Sequence, residues 1–170
     1  MNPPLRGLQH QQALWKGVQN GMVDVIGSDH APHSLQEKQQ PYPLSPSGIV
    51  GVQTTLPLLL DAVSRGNLTL ERLVDLTSHG PQRVFGIAKK GRLAVGYDAD
   101  LTIVDLQKEA TISNAQIRSK VGWTPYAGRK VKGWVKGTVI RGDLVMWEGK
   151  ILCKPQAKEI NFLRKPCARD

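Results

Sequence analysis

The sequence has few cysteines and no long hydrophobic run, and each shortage excludes a class of protein. Its 170 residues include two cysteines, Cys153 and Cys167, too few for the disulfide framework of a small secreted protein. The longest apolar block, residues 56–60, is far shorter than the roughly 20 residues of a transmembrane helix. Residues 1–6 lack the apolar stretch of a secretory signal. We therefore expect a cytoplasmic protein with no membrane partner.

The chain is also short for one common enzyme architecture. A complete (β/α)₈ barrel needs about 200 to 250 residues or more, and this chain has 170. Hydrophobic residues make up 40% and charged residues 22%, which favours a packed core over global disorder. The composition therefore predicts one ordinary domain, or one domain with a small appendage.

Acidic residues are scarce near the C-terminus, and the whole net charge of +9 lies in residues 116–170. The basic side chains there are scattered, without zinc-finger spacing, an RRM-like motif or a block of five Lys or Arg. Such a pattern is typical of a solvated basic face. We expect no specific nucleic-acid partner.

The first half of the sequence predicts a mixture of helices and one strand. Residues 22–27 are apolar and short, which indicates a buried strand, and residues 34–48 are rich in proline, which indicates a long loop. Helical spacing and caps such as Thr69, Pro81 and Gly21 predict helices. The predicted helices cover residues 8–20, 56–65, 70–77 and 82–85.

Beyond residue 90 the hydrophobic period changes to two, which predicts strands. Glycine-containing pairs, Gly142-Asp143 and Glu148-Gly149, separate the later β-rich runs and indicate consecutive hairpins. The predicted strands cover residues 100–105, 134–141, 144–147 and 150–152. We therefore divide the chain into an α/β part over residues 1–90, a β part over 91–154, and a basic, poorly ordered tail over 155–170.

Three residues able to do chemistry follow the predicted strand, namely Asp29, His30 and His33. In α/β folds the carboxyl end of a strand is where sites are built, and a carboxylate there can bind a metal or relay a proton. An Asp at such a position is also a common turn former. A catalytic zinc takes three protein ligands and water, so these residues do not make a self-contained metal site.

The run from Gly27 to His33, followed by Lys38, resembles the C-terminal signature of dihydroorotases in the amidohydrolase superfamily. Residues 2–6, 47–51, 85–87, 91–101 and 122–128 resemble further motifs of that family, so the resemblance covers residues 2 to about 152. It implies an α/β fold, namely the C-terminal strand-helix part of a TIM-type barrel followed by part of a β-sandwich subdomain.

The resemblance also implies an activity and a set of site residues. The family is a zinc hydrolase that interconverts dihydroorotate and carbamoyl aspartate in pyrimidine biosynthesis. Asp29 matches a metal ligand that is also the general acid and base. Asn2, His33 and the backbone at Ser47 and Gly48 match substrate-binding positions. His30 and Lys38 fit the motif, and we expect them to hold the loop.

The family pattern requires ligands that this sequence does not contain, among them an N-terminal His-x-His pair. We therefore expect a fragment that is inactive alone, does not retain zinc, and needs a missing N-terminal portion as its partner. Apolar faces of the helices at 56–65 and 70–77, left without barrel strands, predict self-association. The alternatives are a noncatalytic module that assembles with other pyrimidine enzymes, and a fragment of an allantoinase or hydantoinase.

Overall fold

Helices dominate the first half of the chain in the computed structural model, which describes residues 1–154 and 157–163. The longer ones coincide with the predicted periodic segments, which confirms those predictions. Five α-helices and one π-helical segment are described in this part of the chain. They are α1 (Leu8–Gln19), α2 (Leu35–Lys38), α3 (Thr55–Ser64), α4 (Leu70–Val74), the π-helical segment (Asp75–His79) and α5 (Gly80–Phe85).

Local sequence explains where several of these helices begin and end. The Thr69 hydroxyl accepts a hydrogen bond from the Arg72 N–H at 3.1 Å, so Thr69 caps α4 as predicted. Gly86 follows α5 with φ +63°, the left-handed conformation that glycine adopts readily. The segment predicted as a helix over 70–77 runs further, because the π-helical turn carries it directly into α5.

The predicted strand over residues 22–27 is wrong, since these residues form no β-ladder within the described chain. Their backbone groups bond to the helical layer instead. The Ile26 N–H donates to the Leu76 carbonyl at 3.3 Å, and the Arg72 guanidinium donates to the Val23 carbonyl. A Cβ on Gly80 would lie 2.0 Å from the Asp24 carbonyl oxygen, so this segment rests directly on the start of α5.

An antiparallel sheet forms the second half of the chain, in the order β1-β2-β3-β4. Its strands are β1 (Leu101–Thr111), β2 (Lys130–Ile140), β3 (Asp143–Trp147) and β4 (Lys150–Ile151). Both tight turns have positive φ at both central residues, the type I′ pattern of two-residue hairpins. The turn at Glu148-Gly149 is as predicted, whereas the other lies at Arg141-Gly142, one residue earlier than predicted.

The Gly-x-Asp-Ala-Asp run before β1 anchors the sheet to the helical half. Lys90 Nζ donates to Asp98 at 2.8 Å and to Asp100 at 2.5 Å. The other Asp100 oxygen accepts the Arg141 N–H at 2.8 Å. Hydrogen bonds to Asp100 and Asp98 raise the pKa of Lys90 above its ordinary value.

The core lies where α3 packs on β2 and on the π-helical region. Leu59, Leu60, Leu73 and Leu76 are buried there. The prediction that the helices at 56–65 and 70–77 leave their apolar faces without partners is therefore wrong. The faces are covered within the chain, by each other and by residues such as Val104 of β1.

Part of the predicted tail pairs with the helical half. Phe162 forms an antiparallel bridge with Ile87, and the Ala88 N–H donates to the Asn161 carbonyl at 2.8 Å. Residues 155, 156 and 164–170 of that tail lie outside the described residues, so the prediction of poor order is untested there. No helix in the described ranges is long and apolar enough to cross a membrane.

Candidate active site

Four of the five predicted site residues, all except Asn2, fall within residues 28–52, where two segments lie side by side. His30 and Ile49 form a parallel bridge, and the Ala31 N–H donates to the Ile49 carbonyl at 3.0 Å. This pairing brings the segment that contains Asp29 next to the segment that contains Ser47 and Gly48. Asp29 itself is exposed and has φ +43°, a conformation uncommon for a residue other than glycine.

Two glycines permit this close approach. A Cβ on Gly48, which has φ +109°, would lie 2.6 Å from the Ala31 Cβ. A Cβ on Gly51 would lie 2.6 Å from the Ser28 carbonyl oxygen. Real Cβ atoms do not come so near other heavy atoms, so each contact requires glycine. The close packing of the backbone at the site therefore explains why glycine occupies positions 48 and 51.

His30 and Lys38 hold the loop, as predicted. His30 Nδ1 accepts hydrogen bonds from the N–H groups of Gly51 at 3.1 Å and Val52 at 3.4 Å. Lys38 Nζ donates to the carbonyls of Pro46 at 2.6 Å and Gly48 at 3.2 Å. Nδ1 of His30 is thus occupied by the backbone, and that nitrogen is not available as a metal ligand.

His33 is half-buried and precedes the short helix α2, which the sequence analysis had treated as loop. Ser34 caps this helix in a capping box with Glu37: the Ser34 N–H and hydroxyl both donate to Glu37 Oε2 at 2.7 Å. These bonds lower the pKa of Glu37 below its ordinary value. The Ser-x-x-Glu spacing is a sequence signal that could have revealed this helix.

The second half of the chain also reaches the loop. The Trp123 indole N–H donates to the His33 carbonyl at 2.7 Å, and Gln53 exchanges hydrogen bonds with the backbone at Gln116 and Arg118. Sequence reasoning assigned no role to Trp123. The one signal in the sequence was the position of Trp123 within the 122–128 motif. A hydrogen bond between residues ninety positions apart leaves no periodic pattern in the sequence, so the partner of Trp123 could not be predicted.

The other predicted residues are exposed. Asn2 and Ser47 both lie at the surface. Among the hydrogen bonds of the described residues, none joins Asn2 to Asp29, His33 or the 47–48 segment. The structure thus brings together the segments of Asp29, His33, Ser47 and Gly48, whereas Asn2 lies in the extended stretch before α1.

The residues present do not fit a complete zinc site. Within residues 1–154 and 157–163, no three or more His, Cys, Asp or Glu side chains are grouped so that they could hold a metal ion. A catalytic zinc needs about three protein ligands and an open position. Asp29 could supply one carboxylate ligand, and the remaining ligands are not found among the described residues.

The chain matches a known protein family over most of its length. The sequence profile described as "Amidohydrolase family" matches residues 5–145, and the chain belongs to this family. Its fold is part of the TIM-barrel amidohydrolase fold. Members of the family are in general metal-dependent.

Curated relatives of this chain include dihydroorotases. The chain is 46% identical over 158 residues to a dihydroorotase of Pyrococcus furiosus, which covers 93% of this chain and 36% of that protein. It is 43% identical over 149 residues to a dihydroorotase of Halobacterium salinarum, an alignment that covers 88% of this chain and 35% of that protein. The chain therefore spans about a third of the length of the curated relatives it matches.

Solved structures give the same architecture with lower identity. An L-hydantoinase (dihydropyrimidinase) from Arthrobacter aurescens is similar at TM-score 0.86 and 36% identity, over 89% of this chain and 35% of that one. A D-hydantoinase (dihydropyrimidinase) from a Thermus species is similar at TM-score 0.85 and 31% identity, over 91% of this chain and 35% of that one. Both sets of relatives are cyclic amidohydrolases.

Proposed function

We propose that this chain contributes the acid-base carboxylate and part of the substrate site to a dihydroorotase. The reaction is the reversible hydrolysis of the cyclic amide of dihydroorotate to carbamoyl aspartate, a step of pyrimidine biosynthesis, and its setting is the cytoplasm. In this proposal Asp29 is catalytic, and Asn2, His33, Ser47 and Gly48 bind substrate. In this proposal the activity belongs to an assembly that includes further protein, because the described residues include no group of three or more possible metal ligands.

One observation carries the proposal, namely the pairing of the two motif segments. The bridge between His30 and Ile49 and the two bonds of Lys38 hold the Asp29 segment against the Ser47-Gly48 segment. The paired segments carry a carboxylate, an imidazole and the 47–48 backbone, which are the kinds of group that suit a substrate with carboxylates and an amide. The dihydroorotase relatives support the choice of substrate.

The chemistry assigned to this chain is a proton transfer. Hydrolysis adds water across the ring amide: the water oxygen bonds to the carbonyl carbon and the C–N bond breaks. The Asp29 carboxylate accepts the proton that the attacking water loses and returns it to the leaving nitrogen. The carboxylic acid formed at the carbonyl carbon then ionises and releases its own proton to solvent. His33 and the backbone at 47–48 would donate hydrogen bonds to substrate carboxylate oxygens. We assign no step to a metal.

Complementation tests the proposal. The chain is co-expressed with the barrel portion of a dihydroorotase relative, meaning the part of that protein that this chain does not cover. The complex is then assayed for dihydroorotate hydrolysis. Asp29→Asn should lower kcat by about a hundredfold or more, the range of acid-base catalysis. Asp143→Asn, at the exposed start of β3, is the matched control and should leave the rate unchanged. A soluble complex without turnover, or a fully active Asp29→Asn complex, would contradict the proposal.

A different cyclic amide is the second candidate substrate. The hydantoinase structures share the fold at up to 36% identity, so hydantoins and allantoin are reasonable substrates for the same scaffold. A panel of dihydroorotate, hydantoin, dihydrouracil and allantoin on the complemented assembly separates these activities. Preference for dihydroorotate supports our proposal, and preference for any other member replaces it.

The incomplete ligand set also supports a noncatalytic role as an assembly module with other pyrimidine enzymes. The basic C-terminal part of the chain, residues 116–170, would attract an acidic partner. Such electrostatic binding weakens as the salt concentration rises. Large apolar side chains exposed at Leu14, Met22, Val84 and Phe85 support self-association as well. Sedimentation at low and high salt, with and without the barrel portion, distinguishes these modes of association from complementation.

A further inference from the structure

A hydrogen bond from the sheet half of the molecule ends on the main chain of His33. The donor is the indole N–H of Trp123, a buried residue at 9% exposure, and the distance to the His33 carbonyl is 2.7 Å. A buried indole N–H normally has a partner, but here the partner is the backbone of a candidate substrate-binding residue. This contact is the most direct link between the 122–128 loop and the site.

The loop that carries Trp123 is well anchored at the end of β1. The Gly128 N–H donates to the Ile112 carbonyl at 2.8 Å, and the Ile112 N–H donates to the Arg129 carbonyl at 3.0 Å. The Thr124 N–H donates to Asn114 Oδ1 at 3.0 Å. Ile112 and Thr124 are both buried. Trp123 therefore projects from a fixed loop and can hold its acceptor in place.

The peptide group that joins His33 to Ser34 is held at both of its polar atoms, whereas the His33 ring accepts and donates no hydrogen bond within the described residues and has the Glu37 carboxylate as a charged neighbour. The His33 carbonyl is bound by Trp123, and the next residue, Ser34, is bound by Glu37 through its N–H and its hydroxyl. No hydrogen bond to the His33 ring is found among the described residues. Ordering this peptide group before binding lowers the part of the entropic cost that its backbone would otherwise add, and the ring nitrogens keep their hydrogen-bonding capacity for a ligand.

We propose that Trp123 is a positioning residue: its N–H fixes the His33 main chain and so sets the imidazole for the carboxylate of the substrate. This inference rests on the proposed function, in which His33 binds substrate. Trp123 does not touch the substrate in this account and acts only through His33. Its loss should weaken substrate binding more than it slows the chemical step.

Two variants remove the N–H and keep an aromatic ring. Trp123→Phe is the simple one, and replacement of Trp123 by 3-benzothienylalanine keeps the full bicyclic shape if Phe impairs folding. Trp134→Phe is the matched control, because Trp134 lies half-buried in β2 and its indole makes no hydrogen bond among the described residues.

The first measurement uses the 170-residue chain alone. Backbone ¹⁵N order parameters of His33 and Ser34 should fall when the Trp123 N–H is removed and should stay unchanged in Trp134→Phe. Equal order parameters in the parent and both Trp123 variants would overturn the inference. This measurement needs no activity, so it decides the positioning claim even if the complemented assembly is inactive, an outcome that would count against the proposed function instead.

The second measurement uses the complemented assembly. Removal of the N–H should raise KM for carbamoyl aspartate by about fivefold to tenfold, the effect of one hydrogen bond, and should change kcat by less than twofold. A merely structural role would lower the active fraction, and hence kcat, with KM unchanged. That result, or an unchanged KM in a variant whose His33 has become mobile, would overturn the claim that Trp123 sets His33 for substrate.

Discussion

At the scale of single residues, one ammonium group holds the segment that carries Ser47 and Gly48. Lys38 Nζ donates to two carbonyls of that segment, at Pro46 and Gly48, and the Ser45 hydroxyl donates back to the Lys38 carbonyl at 3.1 Å. Hydrogen bonds from a charged donor are stronger than those between neutral groups. Lys38 therefore contributes to the shape of the site although it has no assigned role in the reaction.

Replacing Lys38 by Met keeps the apolar stem and removes all three donors. We expect the free energy of unfolding to fall by about 1.5 kcal/mol or more, since bonds to a charged group are lost. Amide hydrogen exchange at residues 47–49 should become faster. Urea unfolding and exchange measured by NMR test this, with the exposed Lys120→Met as control. Equal effects of the two substitutions would contradict the role assigned to Lys38.

Asp61 is a second residue whose charge is used for structure. Its side chain is 4% exposed, and it accepts hydrogen bonds from the Lys132 N–H at 3.2 Å, Arg65 at 3.0 Å and Arg129 at 3.5 Å. Burial opposes ionisation, but these donors outweigh it, so the pKa of Asp61 lies below its ordinary value. The carboxylate thereby joins α3 to β2.

Asp61→Asn removes the charge and keeps an acceptor for the Lys132 N–H. We expect it to lower the free energy of unfolding at neutral pH by about 1–2 kcal/mol. Because the folded pKa is below the unfolded one, the stabilisation is present above the unfolded pKa and is lost as pH falls through the folded pKa. Urea unfolding of parent and variant between pH 7 and about pH 3 should show the difference shrinking only at the acid end. A difference that is constant with pH would contradict this.

At the scale of secondary-structure elements, local signals predicted the helices and the two hairpins, whereas the predicted strand over residues 22–27 is wrong. The apolar spacing in α3 and the Thr69 cap of α4 are encoded within a few residues, and both predictions are confirmed. The strand over 22–27 had the right composition, but a strand also needs a neighbouring strand, and none lies beside it in the described chain. The π-helical turn at Asp75–His79 has no composition signal of its own.

The candidate site shows the same division between local and distant information. His30 and Lys38 were placed correctly because they lie within one motif, whereas the Trp123 contact joins residues ninety positions apart. The close approach of Gly48 to Ala31 also depends on how the loop folds back on itself. Such contacts are set by tertiary packing, which a single sequence does not display.

The packing of α3 on β2 gives a prediction at this scale. Gly133 of β2 has φ +99°, and a Cβ there would lie 2.6 Å from the Leu60 Cβ. We expect Gly133→Ala to lower the free energy of unfolding by about 2 kcal/mol or more, through backbone strain and overpacking. Gly122→Ala is the matched control, because it has φ +64° and nothing within 4 Å. Thermal or urea unfolding with equal losses in the two variants would show that the contact with Leu60 is unimportant.

At the scale of the whole molecule, the chain has a core of its own, and its described residues include no group of three or more possible metal ligands. Helices and sheet share buried residues and the Asp61 contacts. The chain nevertheless spans about a third of its dihydroorotase relatives, and its described residues include no group of metal ligands. A buried core together with the absence of a ligand group among the described residues agrees with our proposal of a contribution to a composite active site.

The metal content and turnover of the purified chain, alone and with the barrel portion, test this central claim most directly. Elemental analysis after dialysis against zinc, followed by a dihydroorotate assay, should give well under one zinc per chain and no turnover for the chain alone. The complemented assembly should hold zinc and turn over. A chain that by itself holds stoichiometric zinc and hydrolyses dihydroorotate would contradict the account, because the 170 residues would then contain a complete site.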